Sequence, residues 1–199
     1  MDNKQLRIKA TFMRTGTSKS VYFKKNDLPS NPQERDKLLL QVMGSPDSIQ
    51  IDGMGGGVVS ASKIAIISPS LRDDADIDYT FGQVSLTTPS IDYKGNCGNC
   101  SSGVGPFVID ECMVPIVEPV TEIRVYNTNT DKILVMKVPV VNGKAAVDGD
   151  YKIYIKNIKV DGEMLKILMK MGLPTGIQNS IVAFANVIVQ SNINQFGSI

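Results

Sequence analysis

Gly95-Asn96-Cys97-Gly98-Asn99-Cys100-Ser101-Ser102-Gly103-Val104-Gly105-Pro106 is the stretch on which the reading of this chain turns. It follows a strand-like run and leads into the apolar Phe107-Val108-Ile109. Its small residues and hydroxyls predict the opening of a helix, with the Cys97 thiol just ahead of the first turn. The first amides of a helix lack internal partners and carry partial positive charge. Such a terminus holds a carboxylate and draws a nearby cysteine toward its thiolate. The stretch therefore predicts an anion pocket with a base in it. Its parts are Cys97, the amides of Gly98 and Asn99, and the hydroxyls of Ser101 and Ser102.

Composition narrows the chemistry. With 42% hydrophobic and 21% charged residues in 199, the chain can build a soluble core. A net charge of +1 argues against a nucleic-acid partner or a polybasic membrane surface. No apolar run approaches the roughly 20 residues of a membrane helix, and Met1 to Gln5 lacks a signal-peptide core. Three cysteines fit a reducing cytoplasm better than a disulfide framework, so a cytoplasmic location is expected. There is no histidine. A Ser-His-Asp or Cys-His mechanism built within this chain is thus excluded. Proton transfer near neutral pH falls to Cys, Lys, Asp, Glu or Tyr, with a pKa moved by its surroundings.

Upstream of the stretch, residues 76–86 alternate apolar and polar and predict a strand. Before them, Ile51 to Lys63 carries Gly53, Gly55, Gly56 and Gly57, which allow positive φ and close backbone approach to a ligand. The segment lacks the Gly-Lys-Ser/Thr ending of a phosphate loop. It is followed by the strand-like Ile64 to Ile67, not the helix that a dinucleotide fingerprint requires. Lys63 is left at a loop-to-strand edge, where an exposed lysine is the plain expectation. Asn31-Pro32 opens a helix that Gly44 stops. Residues 6–12 predict a strand, 13–20 a polar loop and 21–23 a second short strand. Arg14, Thr17, Ser18 and Lys19 in that loop form either a carboxylate clamp or a solvated turn. Downstream, 122–130 and 132–140 predict a strand pair, and Asn142-Gly143 a turn before 145–147. The sum is a β-rich unit with one long helix before 45 and another after 98, a sheet wrapped around a helix.

Four of these segments together resemble the PrpF family. Met13-Arg14-Thr15-Gly16-Thr17-Ser18-Lys19 is similar to its Met-Arg-Gly-Gly-Thr-Ser-Lys signature, and Gly55 to Ile66 to its glycine-rich segment ending in Ser-Lys-Val-Ala. Gly95 to Asn99 with Ser101 to Phe107 resembles its Gly-Asn-Cys-Gly-Asn element, and Val125 to Thr130 also fits. The match spans roughly residues 6–153. It implies an α+β, diaminopimelate-epimerase-like fold, a curled mixed and barrel-like β-sheet around a central helix. It also implies cofactor-independent and metal-free isomerase or tautomerase chemistry. A proton and a double bond move in an unsaturated di- or tricarboxylic acid of the aconitate, methylaconitate or oxalomesaconate type, as in propionate breakdown through the methylcitrate cycle. The family's catalytic lysine and cysteine map to Lys63 and Cys97. Arg14, Ser18, Asn99 and Ser101 fall in substrate-binding positions, beside Thr17, Gly98 and Ser102.

The residues support that chemistry independently. An allylic proton shift needs a base beside the C–H and an acid elsewhere on the skeleton. The enediolate between them needs electrostatic stabilisation. Cys97 as base with Lys63 as acid or charge stabiliser, and the reverse, both satisfy this. The resemblance covers residues 1–155 as a first domain. A divergent segment is expected over 156–199, with the family's second domain expected to be missing. A half-length chain lacks one wall of a two-domain cleft, so a homodimer that rebuilds it and an inactive carboxylate-binding remnant are both expected alternatives. Cys100 departs from the family pattern. Cys97-Gly98-Asn99-Cys100 keeps open a redox dithiol.

Overall fold

The computed structural model describes residues 6–148. The domain boundary expected at 155 and the divergent segment beyond it lie outside them. The described elements are β1 (Thr11–Thr15), β2 (Ser18–Lys24), α1 (Pro32–Met43), β3 (Lys63–Pro69), β4 (Ile77–Val84) and β5 (Ile91–Asp92). They continue with α2 (Gly98–Ser102), α3 (Val104–Asp110), β6 (Val120–Asn127), β7 (Lys132–Val141) and β8 (Lys144–Ala145). The strands form one sheet in the order β1-β2-β3-β4-β6-β7-β8, with β5 paired to β4. The β2–β3 and β4–β6 pairs are parallel and the rest antiparallel. This is the curled mixed sheet around a helix that the resemblance implies.

Period-two alternation sorts the side chains onto two faces. Tyr22, Ala65, Ile67, Ile77, Tyr79, Phe81, Ile123 and Val125 turn inward onto Val104, Phe107, Val108 and Ile109 of α3. Val21, Phe23, Ile64 and Ile66 turn the other way and pack with Leu39 and Met43 of α1. Each such aliphatic or aromatic side chain contributes about 1.5–3 kcal/mol on burial. Helix α1 begins and ends as its sequence predicts. The Asn31 side chain accepts from the amides of Gln33 and Glu34 at 2.9 and 3.2 Å, and Gly44 closes the helix in the left-handed region at φ 73°.

Three expectations need correction. The first strand begins at Thr11 and not near residue 6, and residues 13–20 are not a loop. They are the facing ends of β1 and β2, joined at Gly16-Thr17 with Gly16 at φ 63°. Ser18 and Ser20 are polar yet buried, because they meet the polar start of α2 and not the apolar core. A polar inner face reads as a loop in sequence. The helix after 98 is also not continuous but breaks at Gly103 into α2 and α3. Pro106 has no N–H to give the Ser102 carbonyl, so the ladder fails there. Gly103 also lies so close to the Tyr22 hydroxyl and the Thr15 methyl that no Cβ fits.

The glycine-rich loop has an unexpected occupant. A Cβ on Gly55 would overlap the Gln50 amide. Gln50 is 1% exposed, donates from Nε2 to Ser62 Oγ at 2.7 Å, and accepts from the Gly57 amide at 3.2 Å. In this structure the close approach of the loop is to a buried side chain of the chain itself, which fixes Ser62 just before Lys63.

Candidate active site

Sheet register assembles the site. Ser20 pairs with Lys63 across β2–β3, and Lys63 pairs with Gln83 across β3–β4. The three therefore stand in one row, on the inner face, at the end of the sheet that α2 covers. Lys63 is only 8% exposed, and its Nζ donates to Gln83 Oε1 at 2.6 Å. Gln83 is itself held, since its Nε2 donates to the Ser62 carbonyl at 2.7 Å and the Val59 carbonyl at 3.2 Å. The Phe81 ring, one inward position along β4, lies 5.2 Å from Nζ. Among the described residues no carboxylate pairs with Lys63. Its ammonium is oriented by a neutral amide.

Cys97 caps α2 in an extended conformation and is half-buried. Its sulfur lies 3.7 Å from Ser18 Oγ. The Cys100 thiol, the Cys100 amide, the Ser18 hydroxyl and the Lys63 charge all favour the thiolate over the partial desolvation that opposes it. The Cys97 thiol is thereby drawn far below its ordinary value, to about 5. Cys100 moves the other way, up, because the neighbouring Cys97 sulfur and burial both favour its protonated form. Tyr22 and Tyr79, below α2, are pushed up by burial and then by the cysteine sulfurs, which keeps both phenols protonated near neutral pH. Tyr22 instead donates to the Cys100 carbonyl at 2.6 Å, tying α2 to β2.

The other expected residues divide. Asn99 lies over the hairpin turn and donates to Thr17 Oγ1 at 2.7 Å and to Ser18 Oγ at 3.5 Å. Thr17, Ser18, Cys97 and Asn99 are thus brought together, and Gly98 is exposed beside them with open space where a Cβ would be. Arg14 is not brought in. It pairs in register with Lys19, so it occupies the face opposite Ser18 and Ser20. The hydroxyls of Ser101 and Ser102 are engaged by their own surroundings. Ser101, 1% exposed, donates toward the Cys97 carbonyl at 3.0 Å and Asn96 Oδ1 at 3.2 Å, and Ser102 donates to the Asn99 carbonyl at 2.7 Å.

Several supporting residues escape a reading of sequence alone. Gln83 orients Lys63, and Ser20 Oγ lies 2.8 Å from Cys100 Sγ. Asn127, fully buried at the end of β6, donates to Asn96 Oδ1 at 2.9 Å, bracing the residue before Cys97. Asn129 ties Phe81 to Tyr93 through both of their carbonyls. The signal for the last two was the Val125–Thr130 segment, whose role as a brace needs the fold. Nothing comparable marked Gln83 apart from its place in an alternating strand.

The family model described as PrpF protein matches residues 5–168. Over 149 residues the chain is 55% identical to 3-methylitaconate isomerase of Eubacterium barkeri, covering 75% of this chain and 39% of that protein. It is 47% identical over 149 residues to 4-oxalomesaconate tautomerase of Pseudomonas putida, covering 75% and 41%. A crystal structure of methylitaconate-delta-isomerase superposes with a TM-score of 0.71 at 55% identity, over 74% of this chain and 66% of that one. The chain spans about two fifths of the length of the curated relatives it matches.

Proposed function

The chain belongs to the PrpF family, and from that membership we propose that it supplies the acid–base wall of an isomerase acting on an unsaturated di- or tricarboxylic acid. The observation that carries this reading is the pairing of a thiol drawn toward thiolate, Cys97, with an ammonium that has no carboxylate partner among the described residues, Lys63. In the proposed step the Cys97 thiolate takes the proton from the carbon between the double bond and a carboxylate. The electron pair moves into that carboxylate as an enediolate, facing Lys63 Nζ and the exposed amide of Gly98. Lys63 Nζ returns a proton at the far end of the allyl system and regains one from solvent as Cys97 gives up its own, which completes the shift. Gln83 keeps the ammonium aimed, and Asn99 with Thr17 forms the polar rim. Donors and charges fixed in place before the reaction stabilise such an anion without reorganising as it forms.

The test is proton NMR in deuterated buffer with methylitaconate, methylaconitate and oxalomesaconate supplied separately. Protein-dependent deuterium uptake or double-bond migration, lost in Lys63→Ala and Cys97→Ser, is the expected result. Near-normal exchange in Cys97→Ser would remove the thiol from the mechanism. No exchange with any acid, but selective line broadening of one, would favour a carboxylate-binding wall without turnover.

A further inference from the structure

Cys100 favours the Cys97 thiolate but transfers no proton to or from the substrate in the proposed shift, and its surroundings suit it for another role. The Ser101 amide donates to the Cys97 carbonyl at 2.9 Å, closing a helical turn that contains both cysteines. Positions three apart on such a turn have Cα atoms roughly 5 Å from each other, inside the about 4.4–6.8 Å that a disulfide bridges. Both sulfurs rest on one strand face. Cys97 Sγ is 3.7 Å from Ser18 Oγ and Cys100 Sγ 2.8 Å from Ser20 Oγ, two residues that point to the same side of β2. Access differs sharply, since Cys97 is half-buried and Cys100 fully buried. A reagent from solution meets Cys97 first and cannot meet Cys100. An accessible thiolate with a buried thiol one turn behind it has the layout of an attacking and a resolving cysteine.

We propose that Cys97 and Cys100 are an oxidative modification site, closing a reversible intramolecular disulfide when the protein meets a hydroperoxide. The Cys97 thiolate attacks the outer peroxide oxygen. The O–O bond breaks, an S–O bond forms, and with one proton the peroxide leaves as water or an alcohol. The Cys100 sulfur then attacks the Cys97 sulfenic acid. The S–O bond breaks, the S–S bond forms, and the hydroxide leaves as water with the Cys100 proton. Two thiols lose two electrons and two protons, and one peroxide gains them. A dithiol reductant reverses the change through a mixed disulfide. The disulfide does not depend on the proton-shift reading. Its consequence, loss of the base and of turnover, does rest on that reading.

Cys112 provides an internal reference, because it is exposed beyond the end of α3. The experiment treats the reduced 199-residue protein with hydrogen peroxide and follows intact mass and alkylation, with circular dichroism confirming the fold. Cleavage at Asp110 or Glu111 separates Cys112 from the pair, which trypsin cannot do, since no Lys or Arg lies between Lys94 and Arg124. The expected result is loss of two hydrogens, with alkylation lost at Cys97 and Cys100, kept at Cys112, and restored at the pair by dithiothreitol. Cys100→Ser should instead gain one oxygen at Cys97, trapped by dimedone, and Cys112→Ser should behave as the parent does. Linkage through Cys112, or Cys97 advancing to sulfinic acid while Cys100 stays alkylatable in the unfolded chain, would overturn the proposal. Proton exchange that survives in the disulfide form would remove Cys97 as the base and leave the modification site standing.

Discussion

Gly55→Ala tests whether the glycine-rich loop exists to admit Gln50. The added methyl would overlap the Gln50 carbonyl oxygen and amide carbon. Overpacking of this kind costs about 1–3 kcal/mol. Displacing the amide also breaks its bonds to Ser62 Oγ and the Gly57 amide, worth about 1 kcal/mol each. The expected loss is about 3–5 kcal/mol, a large part of the roughly 5–15 kcal/mol that stabilises a domain. Gln50→Ala removes the same two bonds and leaves a void, costing about 2–4 kcal/mol. In the double variant the methyl meets space and not an amide. The double variant should therefore cost about 3 kcal/mol, well short of the sum, with a coupling of about 2–6 kcal/mol. Urea unfolding of the four proteins, followed by circular dichroism at constant m value, completes the cycle. Additivity within about 0.5 kcal/mol would refute the packing argument. So would a Gly55→Ala protein as stable as the parent.

Two further outcomes follow from the same geometry. Iodoacetamide should alkylate Cys97 with a pH midpoint near 5, against about 9 for an ordinary cysteine thiol, because the thiolate is favoured by Cys100, Ser18 and Lys63. Reactivity should fall as pH drops through that midpoint, Cys100→Ser should raise the midpoint more than Lys63→Met does, and an unshifted midpoint would remove the thiolate from the argument. Tyr22→Phe should cost about 1 kcal/mol in chemical denaturation, at the low end for a buried hydrogen bond, because the Cys100 carbonyl keeps the Gly103 amide at 3.2 Å as a second donor.

The sequence by itself determined which segments are extended, where α1 starts and stops, and that a thiol stands at the head of a helix. These are local matters. Alternation, an Asn-Pro start, a glycine stop and a run of small residues act within one or two turns of chain. The short motifs were also enough to identify the family, and with it the curled sheet around a helix. What only the tertiary structure decided depends on register between segments distant in the chain. Lys63 and Gln83 are twenty residues apart, and nothing local says that they share a row with Ser20. Arg14 sits four residues from Ser18, yet a two-residue turn sends the two side chains to opposite faces. The same blindness made Ser18 and Ser20 look like loop, since a polar residue gives no sign of the polar helix start that buries it. It also let the glycines of 53–57 suggest an external ligand, when a Cβ at Gly55 is excluded by Gln50, a residue of the same loop turned inward. Local propensity is written along the chain, whereas a site is a meeting of segments, and their meeting is settled by how the two faces of the sheet fill.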